Sequence, residues 1–74
     1  MSAFLLMWVI YHGMKDRPGP YTVRRWEVGP GVLVATGDAR DALTLAEARA
    51  LVPEDTVCLP RHPDDDPVIV EAWV

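Results

Sequence analysis

Apolar residues along this chain fall into three main runs of strand length, separated by segments rich in proline and glycine. The first run, Leu6 to Tyr11, is continuously apolar, which is typical of a strand buried on both faces. The runs Tyr21 to Val28 and Val68 to Val74 are rich in the β-branched and aromatic residues that favour strands. The pattern predicts an antiparallel sheet in which the first run is the central strand and the other two flank it.

One helix is predicted from Leu45 to Val52, because the residues at its start match a capping box. Thr44 is the expected N-cap: its hydroxyl would accept from the Glu47 amide, and the Glu47 carboxylate would accept from the Thr44 amide. Leu43 is expected to pack on Ala48 as a hydrophobic staple. The apolar stripe of this helix would comprise Leu45, Ala48, Leu51 and Val52.

The second strand allows two interpretations, because its apolar residues change phase. Val23 and Trp26 fall on opposite faces of a regular strand. A β-bulge near Arg24 and Arg25 would bring them to the same side, whereas a strand that uses both faces predicts the same sequence. Regular alternation in the last strand would place Val68, Val70, Ala72 and Val74 on one face and Ile69, Glu71 and Trp73 on the other.

Two shorter runs complete the predicted sheet. Val32 to Ala35 follows a proline-glycine turn and is expected to pair back as a hairpin or to lie along the edge. Thr56 to Leu59 is expected to form a short edge strand, and the polar segment Gly37 to Asp41 leads into the helix. The predicted fold class is α+β: a small antiparallel sheet of three to five strands with one short helix packed on one face. A single domain is expected over residues 1–74, with residues 1–6 as a frayed or additional N-terminal extension.

Composition narrows the range of partners. The 74 residues carry a formal net charge of -4, which argues against a phosphate backbone as the main partner, so nucleic acid is disfavoured. Cys58 is the only cysteine, so no intrachain disulfide can form and a cytoplasmic location is expected. The apolar start, Ala3 to Tyr11, lacks the charged region of a signal peptide and is too short to span a membrane. No membrane association is expected.

Few residues offer catalytic or metal-binding chemistry. Cys58 and His62 are four apart and precede the run Asp64 to Asp66, but Pro60 and Pro63 prevent the helix that would align them as zinc ligands. No activating motif surrounds Cys58, and a cysteine between apolar neighbours is usually a small core residue. We therefore expect no catalytic residue, cofactor, metal or small-molecule ligand, and no enzyme activity.

A contact surface is the remaining candidate for function. Arg24, Arg25 and Trp26 place two guanidinium groups beside an aromatic ring, a combination suited to acidic groups or to nucleic-acid bases. The helix can cover only one face of the sheet, so apolar side chains on the second face need another cover. The expected partner-binding residues are Trp8, Arg24, Arg25, Trp26, Ile69 and Trp73.

These residues favour a non-enzymatic protein-binding module that contacts another protein or a second copy of itself. The alternative is a nucleic-acid-associated accessory protein that uses the arginine and tryptophan cluster. A competing hypothesis for the second face is that loops fold over it in a monomer.

Four segments carry a likeness to known sequences: Met7 to Tyr11, Val23 to Glu27, Thr44 to Leu51 and Asp65 to Glu71. Together they resemble a group of short uncharacterised proteins of bacteria and prophages. The resemblance covers nearly all of the chain from Met7 onward and leaves both Met1 and Met7 open as the first residue. It implies a bacterial or phage protein of the cytoplasm, and it brings no activity, cofactor or catalytic residue with it.

Overall fold

The computed structural model describes residues 5–74, which form a five-stranded antiparallel sheet and one short helix. The elements in chain order are β1 (Leu5–His12), β2 (Tyr21–Gly29), β3 (Val32–Ala42), α1 (Leu45–Ala50), β4 (Cys58–Leu59) and β5 (Ile69–Trp73). The strands lie in the order β3-β2-β1-β5-β4, so β1 is the central strand and β2 and β5 flank it, as predicted. Strands dominate the chain, and the helix has only six residues.

The predicted N-terminal extension, residues 1–6, lies partly outside and partly inside the residues that the structure describes. Residues 1–4 lie outside the described residues. Leu5, which was expected to belong to an extension, is instead the first residue of β1 and pairs with Val28, while Leu6, the predicted start of the central strand, pairs with Glu27.

The two faces of the sheet differ in what covers them. We call the side that carries Ile10 and Val23 the helix face, because these residues form one core cluster with Ala48 and Val52 from α1 and the turn after it. Ile10 is fully buried there. The opposite side, which carries Val9, is called the open face. Because successive strand residues point to opposite sides, the apolar run of β1 supplies both faces at once.

The hairpin of β2 and β3 is longer than predicted. A two-residue turn joins Gly29 to its partner Val32, with Pro30 at the position that its fixed φ suits and Gly31 at φ +68°. Beyond Ala35 the chain was expected to leave the sheet, but β3 continues to Ala42. The polar segment Gly37 to Asp41 thus belongs largely to a strand rather than to a connection.

A bulge occurs at the predicted place along β2, but the extra residues belong to β3. The pairs on its two sides are Arg24 with Ala39 and Trp26 with Ala35. Residues 36–38 therefore oppose Arg25 alone, while β2 keeps an unbroken register against β1. Thr36 fills the gap in the ladder, since its hydroxyl donates to the Arg25 carbonyl at 2.9 Å and accepts from the Asp38 amide at 3.2 Å. The strand that uses both faces is the correct interpretation of β2.

The predicted alternation of β5 is wrong because this strand contains a bulge. Ile10 pairs with Glu71 whereas Tyr11 pairs with Ile69, so Val70 is the extra residue. Directly paired residues share a face, and Ile69 therefore lies on the open face while Glu71 lies on the helix face. Val70 packs against the core of the helix face.

The start of α1 confirms the predicted N-cap and corrects its partner. The Glu47 amide donates to the Thr44 hydroxyl at 3.1 Å, as expected. The Glu47 carboxylate, however, accepts from the Leu43 amide at 3.0 Å rather than from that of Thr44. Leu43 is 74% exposed, so the predicted staple on Ala48 is wrong.

Candidate functional site

The predicted partner-binding residues do not form one surface. Trp8 pairs with both Arg25 and Trp73, and these three residues lie on the helix face. Arg24, Trp26 and Ile69 lie on the open face, as their registers with Val9, Met7 and Tyr11 show. The alternation of neighbouring strand residues separates Arg24 from Arg25.

The tryptophans of the helix face serve mainly as core residues. Trp8 and Trp73 are partly buried against the cluster around Ile10. A cavity of about 120 Å³ opens beside Trp8, and its other lining residues are Val23, Asp38, Arg40 and Leu51. Its rim holds a 3.7 Å ion pair between the exposed side chains of Arg40 and Asp38. Exposed pairs of this kind are solvated and contribute little to binding or stability.

The centre of the open face is closed by aromatic side chains of the sheet itself. The Trp26 indole donates from Nε1 to the Tyr11 hydroxyl at 3.1 Å. Val9 and Tyr11 are 4% and 8% exposed, although no helix covers this side among the described residues. Burial raises the pKa of Tyr11, and this effect outweighs the hydrogen bond from Trp26, which lowers it. The middle of the open face is therefore not an available apolar surface.

One end of the open face is covered by the loop between β1 and β2. Arg17 in this loop donates to the Asp41 carboxylate through Nε at 3.1 Å and Nη2 at 3.0 Å. The Thr22 hydroxyl, on the same side of the sheet, also donates to Asp41 at 3.1 Å. Gly19 approaches so closely that a Cβ on it would lie 2.7 Å from the Asp41 Cβ. Loop cover, one of the sequence-based expectations, thus accounts for this end of the face.

The other end of the sheet is apolar and exposed. Leu5, Val28 and Leu33 are cross-strand partners in adjacent strands, so they form a row across the open face. Leu5 is 57% and Leu33 is 60% exposed. Leu6, Val32 and Val34 are also exposed at this end of the sheet, but they lie on the helix face, where Glu27 is the cross-strand partner of both Leu6 and Val34. We call this row on the open face the strand-end patch; it comprises Leu5, Val28 and Leu33.

Sequence reasoning missed the strand-end patch for an identifiable reason. The three residues Val32, Leu33 and Val34 form the longest aliphatic run without a charge in the second quarter of the chain. A run of this kind predicts a short strand but does not predict how exposed its side chains are. Its position beside Leu5 requires the long-range register of three strands, which local periodicity does not contain.

A second cluster of functional groups links β4, β5 and the helix. The buried carboxylate of Glu71 accepts from the Cys58 thiol at 2.8 Å and from Arg49 Nε at 2.7 Å. Burial disfavours the charged form of Glu71, but the bonds from Arg49 and Cys58 outweigh it and lower its pKa. The bond to Glu71, together with burial, raises the pKa of Cys58. The thiol is thus kept neutral, which is the opposite of what an activated nucleophile requires.

The predicted acidic loop is held by local turns. Asp65 accepts from the His62 amide at 2.8 Å, and Asp66 accepts from the Val68 amide at 3.1 Å. His62 Nδ1 in turn accepts from the Asp64 amide at 3.1 Å. Among residues 5–74, no three His, Cys, Asp or Glu side chains are arranged to hold a metal ion. The carboxylates of Asp65 and Asp66 therefore cap turns within the loop.

Comparison with protein-family models, curated proteins and solved structures found no match. Within the part of the chain that the structure describes, no helix has the length and apolar character needed to cross a membrane. The function of this chain is therefore inferred from its own geometry.

Proposed function

We propose that this chain is a non-enzymatic protein-binding module and that its contact surface is the strand-end patch. The observation that carries the proposal is the apolar row of Leu5, Val28 and Leu33 across three adjacent strands, in which Leu5 and Leu33 are exposed and Val28 is half-buried between them. Contiguous aliphatic side chains on a small folded protein commonly mark an interface, because burying them against a partner removes apolar surface from water.

The location of the patch follows from how the rest of the sheet is covered. The six-residue helix contributes Ala48 to the core of the helix face, which supports an α+β arrangement with one short helix on one face of the sheet. On the open face, Tyr11 and Trp26 close the centre and Arg17 anchors the loop that closes one end. The apolar surface that remains lies at the opposite end, so we place the binding surface there rather than across the whole second face.

The charge distribution favours a protein over a nucleic acid as the partner. Arg24 and Arg25 lie on opposite faces of the sheet, so they cannot contact one phosphate backbone together. The strand-end patch itself contains no charged side chain. An uncharged aliphatic surface matches the core of a protein interface, where charged residues are depleted.

Site-specific photo-crosslinking tests this proposal. A photoreactive residue replaces Leu33 in the full chain, which is expressed in its native host, and crosslinked products are identified by mass spectrometry. The matched control carries the same residue at Val57, a site that is 65% exposed and outside the patch. We expect defined protein adducts from position 33 at several times the yield from position 57. Equal yields at the two positions would contradict the proposal.

A further inference from the structure

The outer edge of β3 is divided into a covered half and an open half. Beyond the bulge, Arg17 donates from Nη2 to the Ala39 carbonyl at 3.4 Å and pairs with Asp41, so this half is covered. Before the bulge, Val32 to Ala35 are all exposed. Since β3 is the last strand on its side of the sheet, these residues present backbone groups that no neighbouring strand pairs among the described residues.

The hairpin turn determines which backbone groups point outward. Gly29 and Val32 close the two-residue turn, so the amide and carbonyl of Val32 face β2. Alternation then directs the amide and carbonyl of Leu33 and of Ala35 away from the sheet, whereas those of Val34 face β2. The open half therefore offers two donors and two acceptors in the spacing that an added antiparallel strand requires.

We propose that the segment Val32 to Thr36 pairs with the same segment of a second copy of this chain, antiparallel and centred on Val34. This inference rests on the proposed function and names the partner of the same surface. In this register Leu33 of each copy pairs with the second copy's Ala35, and the pairing forms four backbone hydrogen bonds. The two five-stranded sheets become one continuous sheet about a twofold axis, which is the common geometry of a symmetric dimer.

The side chains of the segment are complementary to themselves in this register. Val34 lies opposite the second copy's Val34 on the twofold axis, and Val32 lies opposite its Thr36, so β-branched residues face each other. Leu33 from both copies extends the row of Leu5 and Val28 on the open face. Where the two β3 strands meet, the apolar row of one copy therefore continues into the second copy, and each copy shields part of the other's apolar surface from water.

Charge does not oppose this pairing, although each chain carries a net charge of -4. The segment Val32 to Thr36 is uncharged, and Asp38 falls opposite the second copy's Pro30. The nearest acidic residue on β2 is Glu27, the cross-strand partner of Val34. The two copies of Glu27 lie three strand spacings apart, about 14 Å, which exceeds the Debye length at physiological salt. Edges that avoid association usually carry a lysine, proline or inward charge, and this half carries none.

Disulfide trapping tests the register. The native cysteine is first removed by Cys58→Ser, and single cysteines are then introduced in that background. Val34→Cys is the test position. Val57→Cys is the control for an exposed site outside the edge, and Leu33→Cys is the control for the register. Two residues at a non-hydrogen-bonded antiparallel pair have Cα atoms about 4.5 Å apart, within the range for a disulfide. We expect mild oxidation to convert the Val34→Cys chain to a covalent dimer several times faster than either control. A faster reaction at Leu33→Cys would overturn the register, and equal rates at all three would overturn the pairing.

Light scattering over a concentration series provides the independent measurement. The native chain is expected to approach twice its monomer mass of 8.2 kDa. Val34→Lys places two ammonium groups at the twofold axis and is expected to be monomeric with an unchanged circular dichroism spectrum. A native chain that stays monomeric while position 33 crosslinks to a different protein would overturn the second copy as partner and leave the proposed function standing. A monomer that gives no specific crosslink would overturn both.

Discussion

Replacing Glu71 with glutamine removes the charge from a buried carboxylate and keeps its size. Glu71 is 6% exposed and accepts two hydrogen bonds, from the Cys58 thiol at 2.8 Å and from Arg49 Nε at 2.7 Å. The carboxamide of glutamine has one carbonyl oxygen and one NH₂ group. In either orientation of the amide, therefore, either the Cys58 thiol or Arg49 Nε faces an NH₂ group instead of an acceptor. The variant therefore loses one bond, and the other loses its assistance from the carboxylate charge.

The expected loss of stability can be bounded from these contacts. Loss of a hydrogen bond to a buried charged group, or an unsatisfied buried donor, costs about 1–3 kcal/mol. The Arg49 side chain is half exposed, so water replaces its bond and the loss falls mainly on Cys58. A cost of about 2 kcal/mol corresponds to a fall of about 8–16 °C in the melting temperature of a domain of this size. Thermal and urea unfolding of the two chains measure the difference.

The pH dependence of that difference distinguishes an ionic effect from simple repacking. The pKa of Glu71 is lowered in the folded protein, because the bonds from Arg49 and Cys58 outweigh the opposing effect of burial. A carboxylate of this kind stabilises the fold above its unfolded pKa of about 4.3, and the contribution is lost as pH falls through the folded value. The gap between native chain and variant should be at its full size above about pH 5, should narrow below about pH 4.3, and should close as the pH falls through the lower pKa of the folded protein. A gap that is constant from pH 7 to pH 3, or a variant as stable as the native chain at pH 7, would refute this account.

Two further changes test the loop and the thiol. Gly19→Ala should destabilise the fold by about 1–3 kcal/mol in a urea titration, because its Cβ would lie 2.7 Å from that of Asp41. The control, Gly37→Ala, has open space around the new Cβ and should change stability by under about 0.5 kcal/mol. The Cys58 thiol should alkylate more slowly at pH 8 in the folded chain than in urea, since the bond to Glu71 and burial raise its pKa. Glu71→Gln should accelerate that reaction under conditions where the variant stays folded, and an unchanged rate would contradict the assigned role of the carboxylate.

The parts of the fold that sequence reasoning predicted correctly are those encoded by adjacent residues. β1 is apolar on both faces, so its central position follows from composition alone. The Thr44 N-cap and the Pro30-Gly31 turn likewise depend on residues close in sequence. The extent of β3 depends instead on Thr36, whose hydroxyl takes the place of a backbone partner across the bulge. No local pattern distinguishes that threonine from one in an ordinary polar loop.

The candidate surface was located less well than the strands, and bulges explain why. Val70 is an extra residue in β5, so every assignment of a face on one side of it is reversed relative to regular alternation. Ile69 and Trp73 were expected together and lie on opposite faces. Arg24 and Arg25 are adjacent in sequence, and that adjacency in an unbroken strand separates them. A contact surface depends on which side each residue faces, so a single undetected bulge rearranges it.

The way in which the edges of the sheet are protected bears on whether the open half of the β3 edge has a role. The opposite edge of the sheet, β4, has only two residues, and the far half of β3 is covered by Arg17. Short edge strands and covering side chains are the means by which β proteins avoid unwanted pairing. This chain uses both means and leaves Val32 to Ala35 exposed and uncharged. Without a partner that segment would be an aggregation hazard that a single lysine could remove, and this favours our proposal that the open half of the edge is occupied by a second copy.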